Sequence, residues 1–192
     1  MDYQRAQKVI LEILESDLPD YLVYHSVAHT KDVVEAAARI ARTEGVEGDE
    51  LTLLLTAAWF HDSGYIFGAS GHELMSCEIA ARYLPDCGYT PGQIAKVQEI
   101  IMATRMPQTP KDHLGAILAD ADLDYLGRDD FFTIDKYLYR ELKLTGQLSG
   151  ESEWNKMQKD FLEGHSYFTE TSKLRRRPQK LKNLQMIQSL IK

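Results

Sequence analysis

Apolar residues recur at helical spacing along nearly the whole chain, and no segment of any length alternates in the manner of a strand. Val9, Ile10, Ile13 and Leu14 form one apolar stripe. Between about His25 and Glu44, Val27, Val33, Val34, Ala37, Ala38 and Ala41 share a face, and Gly45 and Gly48 close the segment. The next helix is expected from about Asp49 to Phe60. Ser70-Gly71-His72-Glu73 has the form of a capping box, Ser with Glu three residues on. It is expected to open a helix that Pro85 stops at about Leu84. Thr90-Pro91-Gly92-Gln93 is a second box with Pro at the first helical position, opening a helix to about Thr104. A Pro-containing loop, 106–110, precedes helices around Gly115 to Leu126 and Asp130 to Thr145. The remainder reads as helix, loop, helix. No internal repeat is present. The expected fold class is all-α, a compact multi-helix bundle with short connections.

Composition narrows the function classes. A chain of 192 residues with 44% hydrophobic side chains supports one domain with a sizeable core, or a domain with an extension. Its 22 basic and 29 acidic residues give a net charge of −7, which argues against a nucleic-acid polymer as partner. A small phosphorylated ligand held by a local metal remains compatible. The two cysteines, Cys77 and Cys87, form no Cys-x-x-Cys, so a thiolate zinc site or redox dithiol is not expected. The N-terminus lacks the basic start and apolar core of a signal peptide. The longest apolar run, LTLLLTAAWF, is about half the length a membrane span requires. A cytoplasmic protein without membrane contact is the expectation.

The chemistry gathers around AAWFHDSGY, residues 57 to 65. Here a buried helix ends in His61 and Asp62. The pair either holds a metal or satisfies its own hydrogen bonds. Six histidines are present: His25, His29, His61, His72, His113 and His165. His25 and His29 are four apart, which on a helix puts both on one face. In ILADADLDYLG, Asp120 and Asp124 are expected to share a face, with Asp122 pointing away. Carboxylates in an apolar helix are costly to bury unless paired or bound to a cation. Imidazole with carboxylate suits a divalent ion such as Mn, Fe, Ni, Co, Zn or Mg. The segment 173–182, KLRRRPQKLK, carries six basic residues. It reads as a solvated surface stretch or as a place where Arg175, Arg176 or Arg177 reaches a substrate phosphate.

The order His29, His61-Asp62, Asp120 resembles the H…HD…D signature of the HD superfamily of metal-dependent phosphohydrolases. The surrounding phrases resemble it too: HT-x-x-V, A-x-x-F-H-D-x-G-Y, G-H-E, I-x-A-T and L-A-D. The match spans about residues 20–165, implying a single HD domain over 1–192 with a helical, basic C-terminal extension. FLEGHSYFTETSKLRRRP is similar to a bacterial subgroup of predicted phosphohydrolases of unknown substrate. The resemblance implies metal ligation by His29, His61, Asp62 and Asp120. Asp62 would also contact a second metal or the attacking water. His25 would be the general acid, as in related cyclic-nucleotide phosphodiesterases, with a structural or ligand role as the alternative. His72 would approach a second metal or the substrate, with Glu73 as a substitute ligand. A later family histidine is replaced here by Thr104. Tyr65, Thr104, Arg105 and Asp124 are weaker candidates for lining the pocket, and His113 and His165 are read as surface or loop residues, with an approach of His165 to the site from the tail as the alternative. The implied partner is a small phosphorylated substrate, nucleotides first, and a homodimer is a candidate assembly. The alternatives are a non-catalytic metal-binding signalling module, an HD-type di-iron oxygenase, and a helical interaction protein that binds no metal.

Overall fold

The computed structural model describes residues 1–191. Among them are nine α-helices and no strand, in keeping with the all-α expectation: α1 (Tyr3–Asp17), α2 (Val27–Thr43), α3 (Gly48–Phe60), α4 (His72–Tyr83), α5 (Pro91–Met102), α6 (His113–Asp122), α7 (Phe131–Leu144), α8 (Glu151–Gly164) and α9 (Glu170–Leu190). No helix among the described residues is long and apolar enough to cross a membrane. The chain packs as two compact units. One contains Met1–Pro19 and His25–Asp122, the other Asp20–Tyr24 and Leu123–Lys192.

The first unit is built around α3. Its sequence is apolar on every side, and such a helix can only be stable when surrounded. Leu54, Ala57, Ala58 and Phe60 are fully buried against Ile10 of α1, Ala37 of α2, Val97 and Ile100 of α5, and Ile117 of α6. Alanines on α2 and α3 let these backbones approach closely. Three boundaries differ from the expectation. α2 begins at Val27 with Ser26 extended as its N-cap, so His25 precedes the helix. α4 begins at His72, and its N-cap is Gly71 in the left-handed region at φ 71°, so Ser70 and Glu73 do not form a capping box. Glycine tolerates that conformation where Ser would be strained. α6 stops at Asp122, and residues Asp124–Gly127 form a separate 3-10 turn. The Thr90 box forms as expected: Thr90 accepts from the Gln93 amide, and the Gln93 side chain accepts from the Thr90 amide.

The second unit has its own apolar cluster, with Tyr24, Leu126, Phe131, Leu162 and Ile187 at its centre. Polar side chains tie it together. The Tyr24 amide donates to Glu141 Oε2 at 2.8 Å. Asn183 Nδ2 donates to the carbonyls of Leu126 at 2.9 Å and Arg128 at 3.2 Å. The basic segment 173–182 lies within α9. Its residues have unlike fates: Arg175 and Arg177 are exposed, Arg176 is half-buried and Lys180 is buried.

Candidate metal centre

Three chain segments of the first unit converge at helix ends. His29 lies in the first turn of α2, His61 and Asp62 follow the last turn of α3, and Asp122 is the last residue of α6. One ligand atom from each of these four residues can be chosen so that all lie within 4.8 Å of one another. His29 Nε2 stands 3.3 Å from both Asp62 Oδ2 and Asp122 Oδ1. His61 Nε2 stands 3.2 Å from Asp62 Oδ2 and 3.6 Å from Asp122 Oδ1.

These separations test whether an ion fits. Two ligand atoms each about 2.1 Å from one ion are roughly 3.0 Å apart at a right angle and roughly 3.4 Å apart at a tetrahedral angle. The observed spacings match ligands around a shared ion, and they sit at or beyond the long end of an N–H···O hydrogen bond. His61 Nε2 and Asp62 Oδ2 are shut away from solvent, and neither makes a hydrogen bond. Buried polar atoms are rarely left so, and an ion is one of the few things that satisfies them. The residues present fit a divalent cation.

The ring orientations agree. His61 Nδ1 lies 2.8 Å from the Ala58 carbonyl. A carbonyl only accepts, so Nδ1 carries the proton and Nε2 is turned to the cluster, the usual arrangement behind a ligating imidazole. His72 repeats the pattern: its Nδ1 donates to the Ala69 carbonyl at 3.0 Å, and its Nε2 stands 3.4 Å from Asp62 Oδ1. Asp62 therefore turns one oxygen to the four-residue cluster and the other to His72.

Electrostatics point the same way. Burial works against charge on His29, but the carboxylates of Asp122 and Asp62 outweigh it and raise the imidazole to about 9. His61 is raised well above its ordinary value against the same opposition from burial, chiefly by Asp62. Burial would raise the carboxyls, yet the imidazoles hold Asp62 well below the usual range and bring Asp122 down to about 2. A pocket that keeps positive charge against desolvation is one a cation can occupy in place of protons.

The turn after Asp62 builds the adjoining wall. Ser63–Ile66 forms a 3-10 turn, and the Gly64 amide donates to Ser76 Oγ of α4 at 2.8 Å. A Cβ on Gly64 would overlap the backbone carbonyl of His72. Glycine there lets α4 seat its first residue against the turn, which brings His72 to Asp62. Tyr65 is buried between two imidazoles, its ring centroid 4.0 Å from that of His25 and 4.1 Å from that of His72. Its hydroxyl lies 2.9 Å from His25 Nε2.

The structure thus assembles His29, His61 and Asp62 as the sequence suggested, with His72, Tyr65 and His25 beside them. The fourth converging residue differs from the expectation. Asp122, expected to point away, joins the cluster, whereas Asp120 is fully buried with interactions of its own and is not among the converging atoms. Residues 120 and 122 lie about 200° apart around a helix, so only one can face a given point. Counting phase past Asp122 to Asp124 fails because α6 has ended. Asp124 lies in the second unit, where both its oxygens accept from Arg176, at 2.7 and 2.8 Å. Arg176, a sequence candidate for a phosphate, is engaged in that pairing. Arg175 is exposed on α9. Thr104 directs its hydroxyl to the Ile101 carbonyl at 2.9 Å. Arg105 lines a separate groove with Lys96, Glu99 and Lys111. Glu73 is buried beside His72, 3.8 Å from its Nδ1, but is not among the converging ligands. His113 is exposed and faces Glu44 at 3.6 Å.

A model of the HD domain matches residues 27–124, just over half of the chain, and the chain belongs to the HD domain family. That span begins two residues before His29 and ends two residues after Asp122. Among solved structures, a predicted HD superfamily hydrolase from an uncultured Thermotogales bacterium is 24% identical, with a TM-score of 0.65. The match covers 96% of this chain and 90% of that one. At that identity the likeness is one of fold. No curated protein matches the chain.

Proposed function

We propose that this protein is a metal-dependent phosphohydrolase that cleaves a phosphomonoester or phosphodiester of a small metabolite, with nucleotides the leading class. The observation that carries the reading is the four-residue cluster with its two buried, unsatisfied ligand atoms. Family membership supports the coarser reading, a metal-dependent hydrolase. The phosphoester and the nucleotide are the further step, suggested by the resemblance.

His29, His61, Asp62 and Asp122 would hold the ion. A divalent ion there acidifies water towards hydroxide near neutral pH and offsets charge on phosphoryl oxygens. Asp62, through its oxygens, orients the attacking water. His25 gives a proton to the leaving oxygen, and Tyr65 fixes the His25 ring by stacking and through its hydroxyl. The contact between His72 and the outer oxygen of Asp62 favours a second ion on that side.

Elemental analysis of protein purified without chelator, wild type beside Asp62→Ala, tests the reading. Wild type is expected to carry one or two transition metals per chain and the variant none. Metal-free wild type, even after incubation with Mn, Fe, Ni and Mg, would sink the proposal. On a phosphoester panel, His25→Ala should retain the metal and lower turnover by about 10²–10⁴-fold. Loss of metal in that variant would make His25 a ligand and not the acid.

A further inference from the structure

The second unit contains a cationic pocket that shares no residue with the metal cluster. It is a cavity of about 390 Å³ between the end of α8, the link that follows it, and one face of α9. Lys173, Arg177 and Lys180 line it from α9, at the spacing that places residues on one helix face. His165 and Ser166 line it from the link, and Leu184 gives it an apolar side.

Three observations separate it from an ordinary solvated run of charge. Lys180 is only 5% exposed. Its ammonium donates to the Leu162 carbonyl at 2.9 Å and to the His165 carbonyl, at the C-terminal end of α8, so it is fixed in the wall. Its contact with His165 Nδ1, at 3.4 Å, sets the ring: ammonium can only donate, so Nδ1 accepts and the ring proton is on Nε2. Finally, among the described residues only Lys173 of the three cations has a carboxylate partner, Glu170 at 2.7 Å. Glu163, the acidic residue of the lining, is drawn to Lys159 at 2.8 Å and Gln188 at 3.0 Å. Among the described residues no carboxylate pairs with Arg177. Burial, and then the nearby Arg177, push the Lys180 ammonium below its ordinary pKa. Arg177 and Lys180, close together and neither paired with a carboxylate among the described residues, are a repulsive arrangement, here in a chain of net charge −7.

We propose that this pocket binds a small phosphate-bearing anion, with Arg177 as its chief ligand, Lys180 supplying positive field, and a short carbon skeleton lying against Leu184. A dianion matches the cations better than a single carboxylate does, and guanidinium pairs with phosphate through two parallel hydrogen bonds.

The test is a titration of full-length, ¹⁵N-labelled protein with inorganic phosphate and, separately, glycerol phosphate, at constant ionic strength with chloride as control. Saturable shifts of the Ser166 and Arg177 backbone amides are expected for both ligands, with glycerol phosphate the tighter. Arg177→Gln should weaken binding about ten-fold or more. Arg175→Gln, on the same helix but outside the pocket, should change it by less than about two-fold. Asp62→Ala should leave the shifts intact, so that phosphate reaching the metal cluster is told apart and either proposal can fail alone. Shifts that never saturate, shifts that chloride reproduces, or equal effects of the two arginine variants would each overturn the site. Equal affinity for the two ligands would overturn the role of Leu184.

Discussion

Asp62 is the residue on which the site turns, because its two oxygens face different partners. Oδ2 belongs to the cluster with His29, His61 and Asp122, and Oδ1 looks towards His72. The neighbouring assignment is the sharpest to check. Asp122→Asn should weaken metal binding by about 100-fold or more, beyond the usual effect of altering a group behind a ligand. Asp120→Asn should leave metal stoichiometry unchanged. Calorimetric titration of both variants decides, and a reversal of the two results would restore Asp120 as the ligand. The pH dependence follows from His29. Without an ion its folded-state value of about 9 lies above the ordinary 6.5. The stabilisation it supplies is therefore complete below pH 6.5 and is lost as pH rises through about 9. The full shift corresponds to about 3 kcal/mol. Chelator-treated protein should show a falling Tm between pH 6.5 and 9, whereas metal-loaded protein should not, since the bound imidazole has already lost its proton. Equal slopes would mean that no ion displaces that proton.

At the scale of the element, helices were legible and their ends less so. Periodicity marks most helix bodies, because a 3.6-residue repeat survives without tertiary information. The sequence puts the start of α4 too early because Ser70 and Glu73 imitate a box that Gly71, held at positive φ, replaces. The sequence makes α6 too long because nothing at Asp122 announces a stop, and the expected aspartate phase fails with it. Of the site, His29, His61 and Asp62 could be read from the sequence by resemblance to a known signature. Asp122 could not, since three aspartates at intervals of two leave the choice to the helix end. The pairing of Asp124 with Arg176 joins residues 52 positions apart, which no local pattern reveals. The buried carboxyl of Asp135, in α7, is likewise silent in the sequence. Its Oδ2 accepts from Trp154 Nε1 of α8 at 3.2 Å, its Oδ1 has no hydrogen-bond partner, and burial raises it to about 7. The folded state thus favours the protonated carboxyl. The penalty is absent below the ordinary 3.8, grows as pH rises, and is complete above about 7. Asp135→Asn should add up to about 4 kcal/mol of stability at pH 8 and little at pH 4. Denaturant titrations at the two pH values measure this, and a variant destabilised at pH 8 would show that the charge is compensated.

Across the chain as a whole, the residues of the basic segment serve structure unequally. Arg176 holds Asp124, which is 2% exposed, and a Cβ on Gly127 would overlap the Arg176 backbone. Arg176→Ala strands a buried carboxylate and should cost about 3–5 kcal/mol. Arg175→Ala should stay within about 0.5 kcal/mol. Thermal unfolding of the two variants side by side checks it, and equal losses would contradict the pairing. The division of the chain bears on heredity as well as on packing. Asp20–Tyr24 belong with the residues after Asp122, and the Tyr24 ring packs edge-on against Tyr125, 5.8 Å between centroids, within the second apolar cluster. A single crossover at the 122/123 boundary would therefore import a foreign α7 while leaving the old Tyr24 behind. Exchange of the second unit between relatives requires two exchanges, one of them only five residues long, or a matching substitution upstream of α2.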